Sequence, residues 1–313
     1  MEAINRATGA LLGMFVGDAL GIQAEGKLTT ALHEEFPQGI GELYTAERTW
    51  GESGELTDGS VMAILLSQSI TQLQRFDADH VLSSYRKWAK WDPPLVRPLL
   101  KDILEDGPQP KSENNYALMR VAPIGILGAN LSDKEIVAMA EAESIMTNLS
   151  QLCIDANKAL SLGISEAIIN VQQPFRFGIY LLSSAKKFGL HPEVQAALDK
   201  ATKGVEPSFE PENKDSVLYS LQLALFSLLH TSSFEEGMLL VVNKGGSSSA
   251  NGAIYGSLAG AFYGDEEIPS RWKEELQMPD TLARYIKKQT TFRRQNLNLE
   301  FMAEEMAEKL LEI

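Results

Sequence analysis

The chain has 313 residues, 44% of them hydrophobic and 22% charged, with a formal net charge of −14 and a single cysteine. That balance excludes a mostly disordered chain and allows a sizeable core. The charge repels nucleic acid and anionic membrane surfaces, so neither is expected as a partner, and a lone cysteine leaves no intramolecular disulfide, as suits a reducing compartment. The first element is MEAINRATGALLGMFVGDALG. Glu2 offsets Arg6, Asp18 interrupts the apolar run, and the stretch 9–17 is far short of the roughly 18 apolar residues of a membrane span. It reads as a core helix of a cytoplasmic protein.

Apolar residues spaced three and four apart predict further helices over 61–76, 79–91, 134–145, 149–171, 175–188, 214–230 and 234–242. Ser132 with Glu135, and Ser232 with Glu235, have capping-box spacing. Turn chemistry marks breaks at 91–98, 107–115 and 204–213. No strictly alternating strand pattern, internal repeat or linker interrupts this order. One all-α domain over residues 1–313 is the expectation. Cys153, in an apolar helical setting without basic neighbours, reads as a buried thiol rather than a nucleophile. Lys287, Lys288, Arg293 and Arg294 read as a solvated helix face, and His33, His80, His191 and His230 are too scattered to form a metal site.

Two segments carry glycine at every fourth place: 9, 13, 17 and 21, then 252, 256, 260 and 264. Each glycine weakens a helix interior by about 1 kcal/mol relative to alanine. Four on one face imply a groove for another backbone, and the simplest reading packs these two helices together. Asp18 shares a face with Leu11, Met14 and Phe15, so it is expected to be buried and to need donors or a cation. Three polar constellations remain: ESGELTDGSVMA (52–63), KSENNYALMRVAP (111–123) and NKGGSSSANGAIYG (243–256). Thr57 and Asp58 directly precede an apolar helix, where a capping role is the plainest reading. No dinucleotide fingerprint, P-loop, HExxH or paired CxxC accompanies them.

In this order the segments 9–25, 54–63, 119–125 and 233–264, with IPSRW at 268–272, resemble the ADP-ribosylglycohydrolase family over most of the chain. The resemblance implies its compact, orthogonal, all-α fold and cleavage of the glycosidic bond between ADP-ribose and a protein side chain. It also implies two divalent cations, usually magnesium, held by a Thr-Asp-Asp-Thr run and an Asp-x-Asp-Thr run. Here the first run is Thr57-Asp58-Gly59-Ser60 and the second Ser247-Ser248-Ser249-Ala250. Thr57 and Asp58 match. Gly59, Ser247 and Ser249 stand at aspartate positions and Ala250 at a threonine position, so of four expected carboxylates only Asp58 is kept. Hard divalent cations need charged oxygen ligands, which serine hydroxyls do not supply. The positive end of the following helix opposes a cation further. No tightly bound cofactor is expected; one weakly held magnesium or water at Asp58 is the most these residues allow.

The same resemblance places Ser112, Asn115, Asn148 and Gly246 on the substrate side, with Asn114 and Tyr116 where glycines are common and so narrowing the phosphate path. Asn148 stands where a histidine is frequent, and Glu25 at a glutamate associated with gating and catalysis. The implied ligand is ADP-ribose or an ADP-ribosylated protein. Two readings follow. In one the protein is a pseudoenzyme whose metal-dependent N- or O-glycosidic hydrolysis is lost or strongly impaired, leaving a binding or structural role. In the other it hydrolyses without metals, with Asp58 positioning water, Glu25 as acid or base, and Glu52 and Glu55 as further candidates.

Overall fold

The structure is a computed structural model that describes residues 2–43, 53–108, 112–170, 173–210, 213, 215–288 and 298–313. Glu52, Lys214, Arg293 and Arg294, which figure in the sequence reading, lie outside the described residues.

Among the described residues the protein is built from α-helices, and β-pairing is limited to isolated bridges. In chain order the helices are α1 (Glu2–Gly21), α2 (Thr29–Glu35), α3 (Asp58–Leu73), α4 (Ala78–Ala89), α5 (Pro98–Asp106), α6 (Ala122–Leu127), α7 (Asp133–Ser144) and α8 (Gln151–Ile169). They continue with α9 (Pro174–Lys187), α10 (Pro192–Thr202), α11 (Val217–His230), α12 (Phe234–Val242), α13 (Ser248–Tyr263), α14 (Ser270–Lys273), α15 (Asp280–Lys288) and α16 (Leu299–Leu311).

The glycine spacing explains the centre. Helices α1 and α13 lie antiparallel in backbone contact, pairing Gly9 with Gly260, Gly13 with Gly256, and Gly17 with Gly252. A Cβ on Gly17 would lie 2.0 Å from the Gly252 carbonyl oxygen, and one on Gly256 would lie 1.9 Å from that of Gly13. One turn further on, the partner of Gly21 is Ser248, so the stripe runs straight into the serine loop. Helices α8, α11, α12 and α16 pack around this pair. Arg6 stitches it to α8: its Nη1 donates to the carbonyls of Ala167 at 3.1 Å and Ala261 at 3.2 Å, and also to that of Phe262. A cation there complements the exposed carbonyls at two helix C-termini.

The helical stretch over 2–24 is, by length and composition alone, apolar enough to cross a membrane, but its most apolar 18-residue window is wholly buried inside the protein. The expected first helix is present as Glu2–Gly21, with Asp18 inside it. The Ser132–Glu135 capping box is present, with both reciprocal bonds. The second box is corrected by one residue: Ser233 caps α12 by accepting from the Glu236 amide, while Ser232 donates to the Glu236 carboxylate. The chain offers two consecutive serines and two consecutive glutamates at that spacing, and helix entry selects the second pair.

Candidate functional site

Polar loops converge where α1, α3 and α13 meet. After α1 a single 3-10 turn, Ile22–Ala24, leads to Glu25. Two backbone hydrogen bonds, Gly26 N to Gly246 O at 2.8 Å and Gly246 N to Lys27 O at 2.9 Å, clamp this segment against the loop before α13. Gly246 is at φ +67°, which favours a residue without Cβ. The clamp brings Glu25 to the start of α13, where its Oε2 accepts from Ser249 N at 2.9 Å and Ser249 Oγ at 2.8 Å.

Thr57 occupies the N-cap position of α3, yet its side chain does not cap the helix. Instead Thr57 donates twice to Asp18, from N at 2.9 Å and from Oγ1 at 2.7 Å. The capping reading of Thr57 is therefore corrected: the buried Asp18 carboxylate, needing donors, takes the hydroxyl. Burial pushes the Asp18 carboxyl up from 3.8 to about 6, with the Thr57 hydrogen bonds and the Arg97 charge only partly offsetting it.

Asp58, wholly buried, faces a residue that sequence reasoning missed. Arg97 ends the turn WDPPLVRP, directly before Pro98 at the first position of α5. A residue preceding proline is held extended, and Arg97 has φ −59° and ψ 130°. Its backbone N donates to Asp58 Oδ2 at 2.8 Å, while Asp58 N donates to Leu95 O at 3.2 Å, so segment 95–97 is pinned along the start of α3. The guanidinium then reaches inward. Nη1 donates to Asp58 Oδ1, Nη2 donates to Ser249 Oγ at 2.7 Å, and Nη2 lies 3.8 Å from Glu25 Oε1. The Tyr116 ring covers it, with the guanidinium carbon 5.7 Å from the ring centroid. Burial works against the Arg97 charge, but Asp58, Glu25 and Asp18 together outweigh it, and its pKa lies above the ordinary arginine value. Burial likewise raises the Glu25 carboxyl, opposed by Arg97 and the Ser249 donors.

The remaining positions of the two runs carry no carboxylate. A Cβ on Gly59 would meet Met119 Cγ and Sδ at 3.1 Å, so the thioether fills the space an aspartate would enter. Ser247 Oγ donates to Asp215, and Ala250 is buried. Asp215 is a carboxylate that the sequence reading did not bring to this loop, and it arrives from the turn before α11. Among the described residues no group of three or more His, Cys, Asp or Glu side chains is placed to hold a metal ion. The donor set around Arg97, two carboxylates and a hydroxyl turned onto a guanidinium, does not fit a pair of divalent cations.

The predicted substrate residues form a second cluster. Asn148 is buried and its Nδ2 donates to Asn114 Oδ1 at 2.9 Å and Asn114 O at 3.2 Å. Asn115 is buried too, donating from N to Asp215 O at 3.0 Å and from Nδ2 to Ser220 Oγ at 2.9 Å. Ser112 is half-buried, with its Oγ accepting from Asn114 Nδ2 at 2.5 Å. Cys153, buried beneath this loop, has its thiol pushed up to about 12 by desolvation. Arg120 joins the two clusters: its Nη1 donates to Tyr116 O at 2.9 Å, and its Nε donates to the buried Glu143 at 2.5 Å. Glu55, the other candidate acid, bridges through its backbone to Gln277.

An all-helical protein with polar loops gathered at one end of a glycine-packed helix pair is the class these features define. The ADP-ribosylglycohydrolase profile matches residues 1–301, and the chain belongs to that family. It is 28% identical over 293 residues to the ADP-ribosyl-dinitrogen reductase glycohydrolase of Rhodospirillum rubrum, covering 88% of this chain and 91% of that protein. It is 23% identical over 299 residues to the ADP-ribosylarginine hydrolase Tri1 of Serratia proteamaculans (strain 568), covering 90% and 78%. A solved structure described as an ADP-ribosylglycohydrolase-related protein complex superposes with a TM-score of 0.78 at 26% identity, over 99% of this chain and 98% of that one.

The buried Asp18 makes stability depend on pH. Its folded-state pKa lies above that of an unfolded aspartate, so the folded protein holds the extra proton between pH 4 and 6. Stability from this group therefore declines as pH rises through that interval and is flat above it, by up to about 3 kcal/mol. Asp18→Asn removes the titration, and Thr57 Oγ1 can turn to accept from the new amide. Urea unfolding of both proteins from pH 4 to 8 is expected to show the wild type losing stability relative to Asp18→Asn up to pH 6. A pH-independent difference would contradict this assignment.

Proposed function

We propose that this ADP-ribosyl hydrolase-like protein has lost, or strongly impaired, metal-dependent hydrolysis of N- or O-glycosidic ADP-ribose linkages. One observation carries the reading: the Arg97 guanidinium lies between Asp58 and Ser249, with Glu25 beside it. Asp58, the one carboxylate kept from the two ligand runs, is spent on an ion pair. On this reading the protein works as a binding or structural member of the family, holding ADP-ribose or an ADP-ribosylated protein without turnover. On the same reading the half-buried Ser112 meets such a ligand, whereas Asn115, Asn148 and the Gly246 backbone support the loops.

A second reading, metal-free hydrolysis, is favoured by Glu25 alone. It is partly exposed, and its raised pKa suits an acid. Asp58, fully buried and paired, is poorly placed to position water.

The test is turnover of ADP-ribosylated arginine and serine substrates, with magnesium and with chelator, alongside ADP-ribose binding. Saturable binding without turnover in either condition is expected. Magnesium-stimulated turnover would overturn the proposal. Chelator-resistant turnover abolished by Glu25→Gln would establish the second reading instead.

A further inference from the structure

We propose that the Arg97 guanidinium is a built-in replacement for a bound cation, and that the oxygens around it form one divalent-cation site once that charge is removed. The inference rests on the reading that the native cleft does not take up the cation pair.

Asp58 is fully buried and Glu25 mostly so, on a chain that is strongly acidic. Two carboxylates drawn together out of water repel each other and require a positive charge. Three separate segments supply the oxygens: Glu25 after α1, Asp58 at the first position of α3, and Ser249 at the start of α13. Neither the backbone clamp at Gly26 and Gly246 nor the Asp58–Leu95 amide bond involves the guanidinium. These oxygens therefore keep a frame of their own when the Arg97 side chain is shortened. Two carboxylates and a hydroxyl completed by water is a ligand set that a single magnesium or manganese ion accepts. Native Arg97 meets the same need without a metal. Its charge compensates Asp58 and Glu25, and its donors reach Asp58 and Ser249.

The consequence is a selective gain. Arg97→Ala and Arg97→Gln leave the carboxylates uncompensated, lowering the thermal midpoint. Manganese at millimolar concentration is then expected to raise that midpoint by several degrees, and EDTA to reverse the rise. Wild type and Arg97→Lys, which keep a positive charge in the cleft, are expected not to respond. Arg97→Gln retains a hydrogen-bonding stem, so it carries the test if the alanine variant does not fold. A merely structural arginine would give destabilised variants that are indifferent to manganese, and that result overturns the inference while leaving the proposed loss of metal-dependent hydrolysis intact. A manganese response of the wild type itself would overturn that loss.

Discussion

Gly17→Ala is expected to destabilise the protein by about 3 kcal/mol or more, at or beyond the upper end for overpacking a core. The added methyl would lie 2.0 Å from the Gly252 carbonyl oxygen and 2.3 Å from its carbon, atoms of a helix backbone that cannot swing aside as a side chain does. The helices would have to separate, and separation would be felt along the whole stripe from Gly9 to Gly21. Gly41→Ala is the matched control, because nothing lies within 4 Å of a Cβ there. Equilibrium unfolding in urea measures both. A loss below about 1 kcal/mol for Gly17→Ala would show that the two helices are not in backbone contact.

Asp58→Ala carries the second large effect, a loss of about 3 kcal/mol that neither magnesium nor EDTA alters. Removing one partner of a buried ion pair leaves the other charge uncompensated, typically costing about 3–5 kcal/mol. Glu25 remains 3.8 Å from the guanidinium and tempers that cost, which places the expectation at the low end of the range. If Asp58 served chiefly as a metal ligand, its loss in metal-free protein would relieve carboxylate repulsion rather than strand an arginine. Unfolding curves for wild type and variant, each in chelator and in magnesium, separate the two cases. A variant as stable as wild type in chelator would contradict the ion-pair role.

The sequence was most informative where spacing carries the physics. Glycines at every fourth place in two segments announced the packed pair α1 and α13, since such a stripe has few other uses in a helix. Asp18 on an apolar face announced a buried carboxylate in need of donors, and Thr57 supplies them. Loops around 25, 57–58 and 247–249 were legible through resemblance, and the structure brings Glu25, Asp58 and Ser249 together. Arg97 was not legible. A basic residue among prolines in a turn gives no local sign of direction, and its role arises from contacts with Asp58 and Ser249, both distant in sequence. The one available signal was an imbalance: Asp18, Glu25 and Asp58 without the usual cations had to find positive charge elsewhere. Asp215 was missed for a similar reason, because it reaches Ser247 across a tertiary contact from the turn before α11. Helices α5, α10, α15 and α16 also escaped periodicity. Helices α5 and α15 are short, all four are amphipathic rather than richly apolar, and their burial comes from docking onto the core.

The claim that a guanidinium stands in for the cation centre is tested most directly by titrating manganese into chelator-treated wild-type protein in a calorimeter. No saturable, stoichiometric binding is expected below millimolar manganese. Two equivalents bound at micromolar concentration, with turnover of ADP-ribosylated arginine or serine appearing alongside, would contradict that claim.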